Sequence, residues 1–130
     1  MIALDTNVLA RYLLKDDPKQ ASAAAALLKQ RENYTAPITV MLELVWVLQA
    51  NGCSREEVLL GMRTLLGLPN FRPREYEALI SALRWFESGM DFADALHLAL
   101  SLGDEAFRTF DKALIRDATR IVPGLSAAAP

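Results

Sequence analysis

Short apolar segments alternating with longer, punctuated helical stretches narrow the folds open to this chain more than any other feature. Ile2 to Leu4, Tyr34 to Ala36, Ala106 to Phe110 and Arg120 to Val122 read as short strands, with Phe71-Arg72 a weaker candidate. The helical signals lie between them. Asp17-Pro18 followed by Gln20 supplies an N-cap, a proline at the first helical position and a capping partner, opening a helix to about Arg31. Ser54 with Glu57 is a capping box whose helix Gly67 ends, and Pro73 opens another that runs to Ser88-Gly89. Ile38 to Ala50 is too long for one buried strand and stops at Asn51-Gly52, which predicts a helix. That helix is apolar all round except for Glu43 and Gln49, so it is expected to lie largely buried. Such alternation implies an α/β layer with a mainly parallel sheet, in which ligands bind beyond the carboxyl ends of the strands.

A chain of 130 residues is expected to form one domain, here residues 1–125, followed by a flexible tail at 126–130. Its composition, 52% apolar and 23% charged, is that of a globular protein and excludes a disordered one. No uncharged apolar run approaches the length of a membrane span, and Asp5 falls where a signal peptide would be apolar. The single cysteine, Cys53, excludes an internal disulfide and fits a reducing, cytoplasmic setting. It has no basic or histidine neighbour to lower its pKa, which argues against a nucleophile. A net charge of −2 argues against tight non-specific binding of nucleic acid without excluding a nuclease, because a bound cation would offset carboxylates where a phosphate arrives.

Against this background five acids stand where apolar residues would be ordinary: Asp5, Glu43, Asp91, Asp94 and Asp111. Unpaired carboxylates in or beside a core are unfavourable, and a hard divalent cation with oxygen ligands is the simplest reason to gather several. Asp5 and Asp111 end two of the expected strands, which suggests a shared site. Each also has a plainer reading. Asp5 suits a turn or cap, with Thr6 and Asn7 as local hydrogen-bonders capping a helix from Val8 to Leu14. Asp91 and Asp94 suit the cap and first turn of a helix. Asp111 could cap a helix from Lys112 to Ala118, with Thr109 bonding a carboxylate or a metal-held water, while Asp117 reads as a solvated residue. Glu43 has no basic neighbour one turn away, so its plainer reading is a pair with a distant arginine. His97 fits a surface or interface position, and Trp46, Trp85 and Phe86 fit a core or a dimer contact before a base-stacking role. Lys112 with Arg116, and Arg11 with Lys15, fit exposed charge before phosphate contacts.

With those residues in place, the chain resembles a PIN-domain ribonuclease of the VapC toxin type over nearly its whole length. The likeness rests on Ile2-Ala3-Leu4-Asp5-Thr6-Asn7, on Glu43-Leu44, on Met90-Asp91-Phe92-Ala93-Asp94-Ala95-Leu96 and on Thr109-Phe110-Asp111. It implies a three-layer α/β/α sandwich around a mainly parallel sheet, with Mg²⁺ or Mn²⁺ in an acidic pocket. Asp5, Glu43, Asp94 and Asp111 take the family's acidic positions and Asp91 is an additional acid. Asp5 and Asp94 are the first choices as direct ligands; Glu43 and Asp111 either ligate or orient water, and Asp91, Thr109, Thr6 and Asn7 support them. The resemblance further implies RNA as substrate, a homodimer, and a small cognate antitoxin protein. The family's usual Ile-Ala-Ala is here Leu96-His97-Leu98-Ala99, a departure that touches the groove near His97. Two rivals remain: a non-catalytic PIN-like scaffold for RNA or protein, and a metal-dependent phosphatase, which would want a second Asp where Asn7 stands.

Overall fold

The computed structural model describes residues 1–130 and divides into two compact units, Met1–Tyr76 and Glu77–Pro130. The first runs β1 (Ile2–Ala3), α1 (Thr6–Leu14), α2 (Pro18–Leu28), β2 (Tyr34–Thr35), α3 (Ile38–Ala50) and α4 (Arg55–Leu66). β1 and β2 are parallel, with Ile2 opposite Tyr34 and Ala3 opposite Thr35. Parallel neighbours need a crossover, and α1 and α2 supply it.

On its other edge β2 meets the segment from Phe71 to Arg74. Tyr34 bridges to Phe71 in parallel, and the amides of Arg72 and Arg74 donate to the carbonyls of Tyr34 (3.0 Å) and Ala36 (2.9 Å). This corrects the expectation that Pro73 opens a helix. In an extended edge segment alternate amides face the sheet; those of residues 72 and 74 do so, and proline occupies the position whose missing N–H is not required. The next helix starts only at Tyr76, after Glu75 has turned the chain through a positive φ of 55°. The Asn70 side-chain amide donates to the carbonyls of Leu28, Gln30 and Glu32, which ties down the loop after α2.

The caps follow the sequence closely. Asp17 caps α2 through the Gln20 amide with Pro18 at the first position, and Ser54 and Glu57 form the reciprocal capping box of α4. α2 ends at Leu28, short of Arg31. α3 has the predicted span but not the predicted environment. Met41, Leu44, Val45 and Leu48 form a buried stripe, whereas Thr39, Glu43, Trp46 and Ala50 are exposed, Trp46 by 67%. α1 and α4 cover only part of the helix, so apolar character all round does not produce burial all round.

The second unit holds α5 (Tyr76–Glu87, its first residue at the boundary), α6 (Phe92–Leu100), β3 (Phe107–Arg108), α7 (Lys112–Ile121) and β4 (Ala127–Ala128). Phe86 and Phe92 pack edge to face with ring centroids 5.8 Å apart. The strand expected at Arg120 to Val122 is absent, because α7 continues to Ile121. The parallel partner of β3 is instead β4, with Phe107 opposite Ala127 and Arg108 opposite Ala128. Residues 126–130, expected to fray, thus contain a strand. The polypeptide is α/β with parallel strand pairing, as the alternation of elements implied.

Candidate active site

In the first unit, Asp5 follows β1 and is the N-cap of α1: its Oδ1 accepts the Thr6 amide at 2.8 Å. The helix therefore starts at Thr6, and Thr6 and Asn7 lie inside it instead of capping it. Thr6 is buried, 5% exposed, and its hydroxyl donates a hydrogen bond to Oε1 of Glu43. Glu43 is exposed, so it is not the buried anomaly its apolar neighbours suggest, and its partner is a hydroxyl brought from α1. The link joins the residue after Asp5 to Glu43, two of the expected site positions. Asn7 is exposed and lines a cleft of about 580 Å³ with Val8, Arg11 and Gln20. A second cleft, about 930 Å³, is lined by residues including Tyr12, Leu13, Lys15, Ala25, Leu60 and Gly61, and by none of the five acids.

In the second unit, Asp91 caps α6, its Oδ2 accepting the Asp94 amide at 3.1 Å. Asp111 follows β3 and caps α7, its Oδ1 accepting the Leu114 amide at 3.1 Å. Thr109 Oγ1 accepts the Asp111 amide at 3.0 Å, so this hydroxyl orients the backbone at the acid and not its carboxylate. The plainer readings of Asp5, Asp91 and Asp111 as caps are therefore correct. They do not exclude ligation: each cap engages one carboxylate oxygen, and an ionised carboxylate has two.

Asp94 is half-buried in the first turn of α6. Burial pushes its carboxyl above the usual carboxylate range, and the charges of Asp91, Asp111 and Asp117 push it the same way, while His97 opposes them. Asp94 thus stands in a negative field made by three other carboxylates of its unit. Asp117 reads from the sequence as a solvated residue and is not one. Its side chain is only 15% exposed, and it pairs with Arg116 at 3.3 Å and Arg120 at 3.5 Å. The signal was present, since Leu114 three residues before and Ile121 four residues after put Asp117 on the apolar stripe of α7. His97 is exposed, and Ser101 hydroxyl bonds the His97 carbonyl. In the first unit, burial and the nearby Glu57 push the Cys53 thiol up, away from a reactive thiolate.

The donors are all carboxylate oxygens, the chemistry that Mg²⁺ and Mn²⁺ prefer. In neither unit do three His, Cys, Asp or Glu side chains stand ready as a preformed ligand set. Mg²⁺ keeps several of its waters and takes one or two carboxylates, so Asp94 with Asp91 or Asp111 fits such an ion by chemistry.

An α/β domain with parallel strands and acidic residues at strand-to-helix junctions is the general class. The PIN domain family model matches residues 2–120, across both units, and the chain belongs to the PIN domain family. PIN domains are generally nuclease domains, generally use divalent metal ions and typically bind RNA. No curated protein matches the chain. No helix is long and apolar enough to cross a membrane.

Proposed function

We propose that this PIN domain is a Mg²⁺- or Mn²⁺-dependent endoribonuclease that depends on Asp5, Glu43, Asp94 and Asp111, and that it serves as the toxin of a toxin–antitoxin pair in the cytoplasm. The observation that carries the reading is the fixing of Asp91 and Asp111 by helix caps in the unit where Asp94 is half-buried among like charges. Mutual repulsion of carboxylates is relieved by a cation, and a carboxylate already fixed by a backbone amide loses little freedom on ligation. Asp94, with Asp91 or Asp111, would hold such an ion in the second unit. When bound it supplies charge neutralisation at the phosphodiester and acidifies water.

The chain's own residues do the rest. Thr6 orients Glu43 through its hydroxyl, which suits Glu43 to accept a proton from an attacking water. The Asp5 and Asp111 carboxylates are held by caps at the carboxyl ends of β1 and β3, where α/β folds bind ligands. Without a histidine in the chemistry, the expected products carry 5′-phosphate and 3′-hydroxyl ends. A homodimer and a small cognate antitoxin belong to the same reading.

The test is cleavage of a panel of single-stranded and structured RNAs with Mg²⁺, Mn²⁺ or EDTA, comparing wild type with Asp5→Asn, Glu43→Gln, Asp94→Asn and Asp111→Asn. Metal-dependent cleavage lost in each variant is expected. Cleavage that survives EDTA, or survives Asp94→Asn, refutes the mechanism. A well-folded wild type that binds RNA or protein but cuts nothing favours the scaffold. Light scattering decides the dimer. Growth arrest on induction, relieved by a small protein encoded beside this gene, decides the toxin role.

A further inference from the structure

Phe110 is 84% exposed, the most exposed of the large apolar side chains. A single exposed apolar side chain is ordinary on a protein surface; the neighbours of this one set it apart. Arg108 and Lys112, two residues to either side, are both exposed, and Asp111 follows directly. From Arg108 to Arg120 there are four basic residues (Arg108, Lys112, Arg116, Arg120) and two acids (Asp111, Asp117), in a chain with 14 basic and 16 acidic residues overall. The local sign is opposite to that of the whole protein. Arg116 and Arg120 are engaged with Asp117, whereas Arg108 makes its hydrogen bonds to backbone carbonyls of Phe107 and Ser126 and keeps its full charge facing solvent.

We propose that Phe110 is a base-stacking residue, on whose ring single-stranded RNA lays one base while Lys112 and Arg108 meet the flanking phosphates. Every base has a π face, and an aromatic ring between cations is the usual platform for a single strand. Trp46 makes the contrast. It is exposed by 67%, but the residues one turn away on α3, Leu42, Glu43, Gln49 and Ala50, include no cation to meet a phosphate. Because Phe110 adjoins Asp111, stacking there sets which nucleotide is presented to the acidic residues. This step rests on the nuclease reading, whereas the stacking itself does not.

Two measurements separate them. RNA oligonucleotides carrying a single 2-aminopurine are titrated with protein in EDTA, where no cleavage occurs, using wild type, Phe110→Ala and Phe110→Tyr. Quenching by wild type and Phe110→Tyr but not by Phe110→Ala is expected, together with about tenfold weaker binding by the alanine variant. In Mg²⁺ the same substitution should raise KM by about tenfold and leave kcat within a factor of about two, with tyrosine restoring KM. Equal quenching and affinity in Phe110→Ala overturns the proposal, as does a change of Phe110→Ala from dimer to monomer with RNA binding intact. A wild type that quenches but does not cleave leaves stacking standing and removes the nuclease reading.

Discussion

Asp111 holds two roles that a pair of substitutions separates. Its Oδ1 caps α7 through the Leu114 amide, and its charge adds to the field on Asp94. Asparagine is as good an N-cap as aspartate, so Asp111→Asn keeps the cap and removes the charge; Asp111→Ala removes both. Losing the cap costs about 1 kcal/mol. The charge itself favours the N-terminal end of α7 by about 0.3–1 kcal/mol, and its removal also relieves repulsion on Asp94, so these two consequences oppose each other and occur in both variants. Subtracting one variant from the other isolates the cap. In thermal unfolding the alanine protein should melt about 3–4 °C below the asparagine protein, and the asparagine protein should melt close to wild type. RNA cleavage should be lost in both. If the two variants melt together, the cap hydrogen bond contributes nothing and the account of how α7 is positioned fails. If Asp111→Asn still cleaves RNA, the charge at this position is not needed and Asp111 leaves the site.

Divalent metal should raise the melting temperature of wild type, by the equivalent of about 2.7 kcal/mol at a hundredfold excess over Kd; the rise should be absent in Asp94→Asn, measured by scanning calorimetry. Lys15 ends α1 in the left-handed region at φ 55°, so Lys15→Gly should stabilise the chain by about 0.5–1 kcal/mol in chemical denaturation, because glycine removes a Cβ penalty that outweighs its extra unfolded-state freedom. The Ser54 amide holds the Glu57 carboxyl below its usual range. A depressed carboxyl stabilises the fold above its unfolded pKa, and that stability is lost as pH falls through the folded pKa. Glu57→Gln, which can still close the capping box, should therefore flatten the acid limb of a melting-temperature profile, and an unchanged limb would refute the assignment.

The helix punctuation was legible because caps are local chemistry. Asp17-Pro18, Ser54 with Glu57, and the span Ile38–Ala50 each needed only a few neighbouring residues to be read. Pro73 misled because the same residue suits a helix start and a strand edge, and only the pairing of Arg72 and Arg74 with β2 distinguishes them. β4 was invisible for a related reason: Ala127-Ala128 has no strand preference of its own and is a strand because β3 pairs with it. Glu43 looked buried from composition, but burial depends on which face of α3 has partners. Its link to Thr6 spans 37 positions, beyond the reach of local reading. The candidate acids were found because carboxylates are conspicuous among apolar residues, while Asp117 was missed because the arginines around it looked like solvated charge.

The pairing of β4 carries a consequence for how a disturbance there would spread. The Ala128 carbonyl accepts the Thr109 amide at 3.0 Å, Thr109 Oγ1 accepts the Asp111 amide, and Asp111 accepts the Leu114 amide. A relay of hydrogen bonds therefore runs from β4 to the start of α7. Removing Ala127 and Ala128 from this pairing would spare the Phe107–Ser126 bond and cut the relay at its first link. Loss of β4 would then be felt at Asp111 before it was felt in the core, so a molecule could loosen at this acid while still folded.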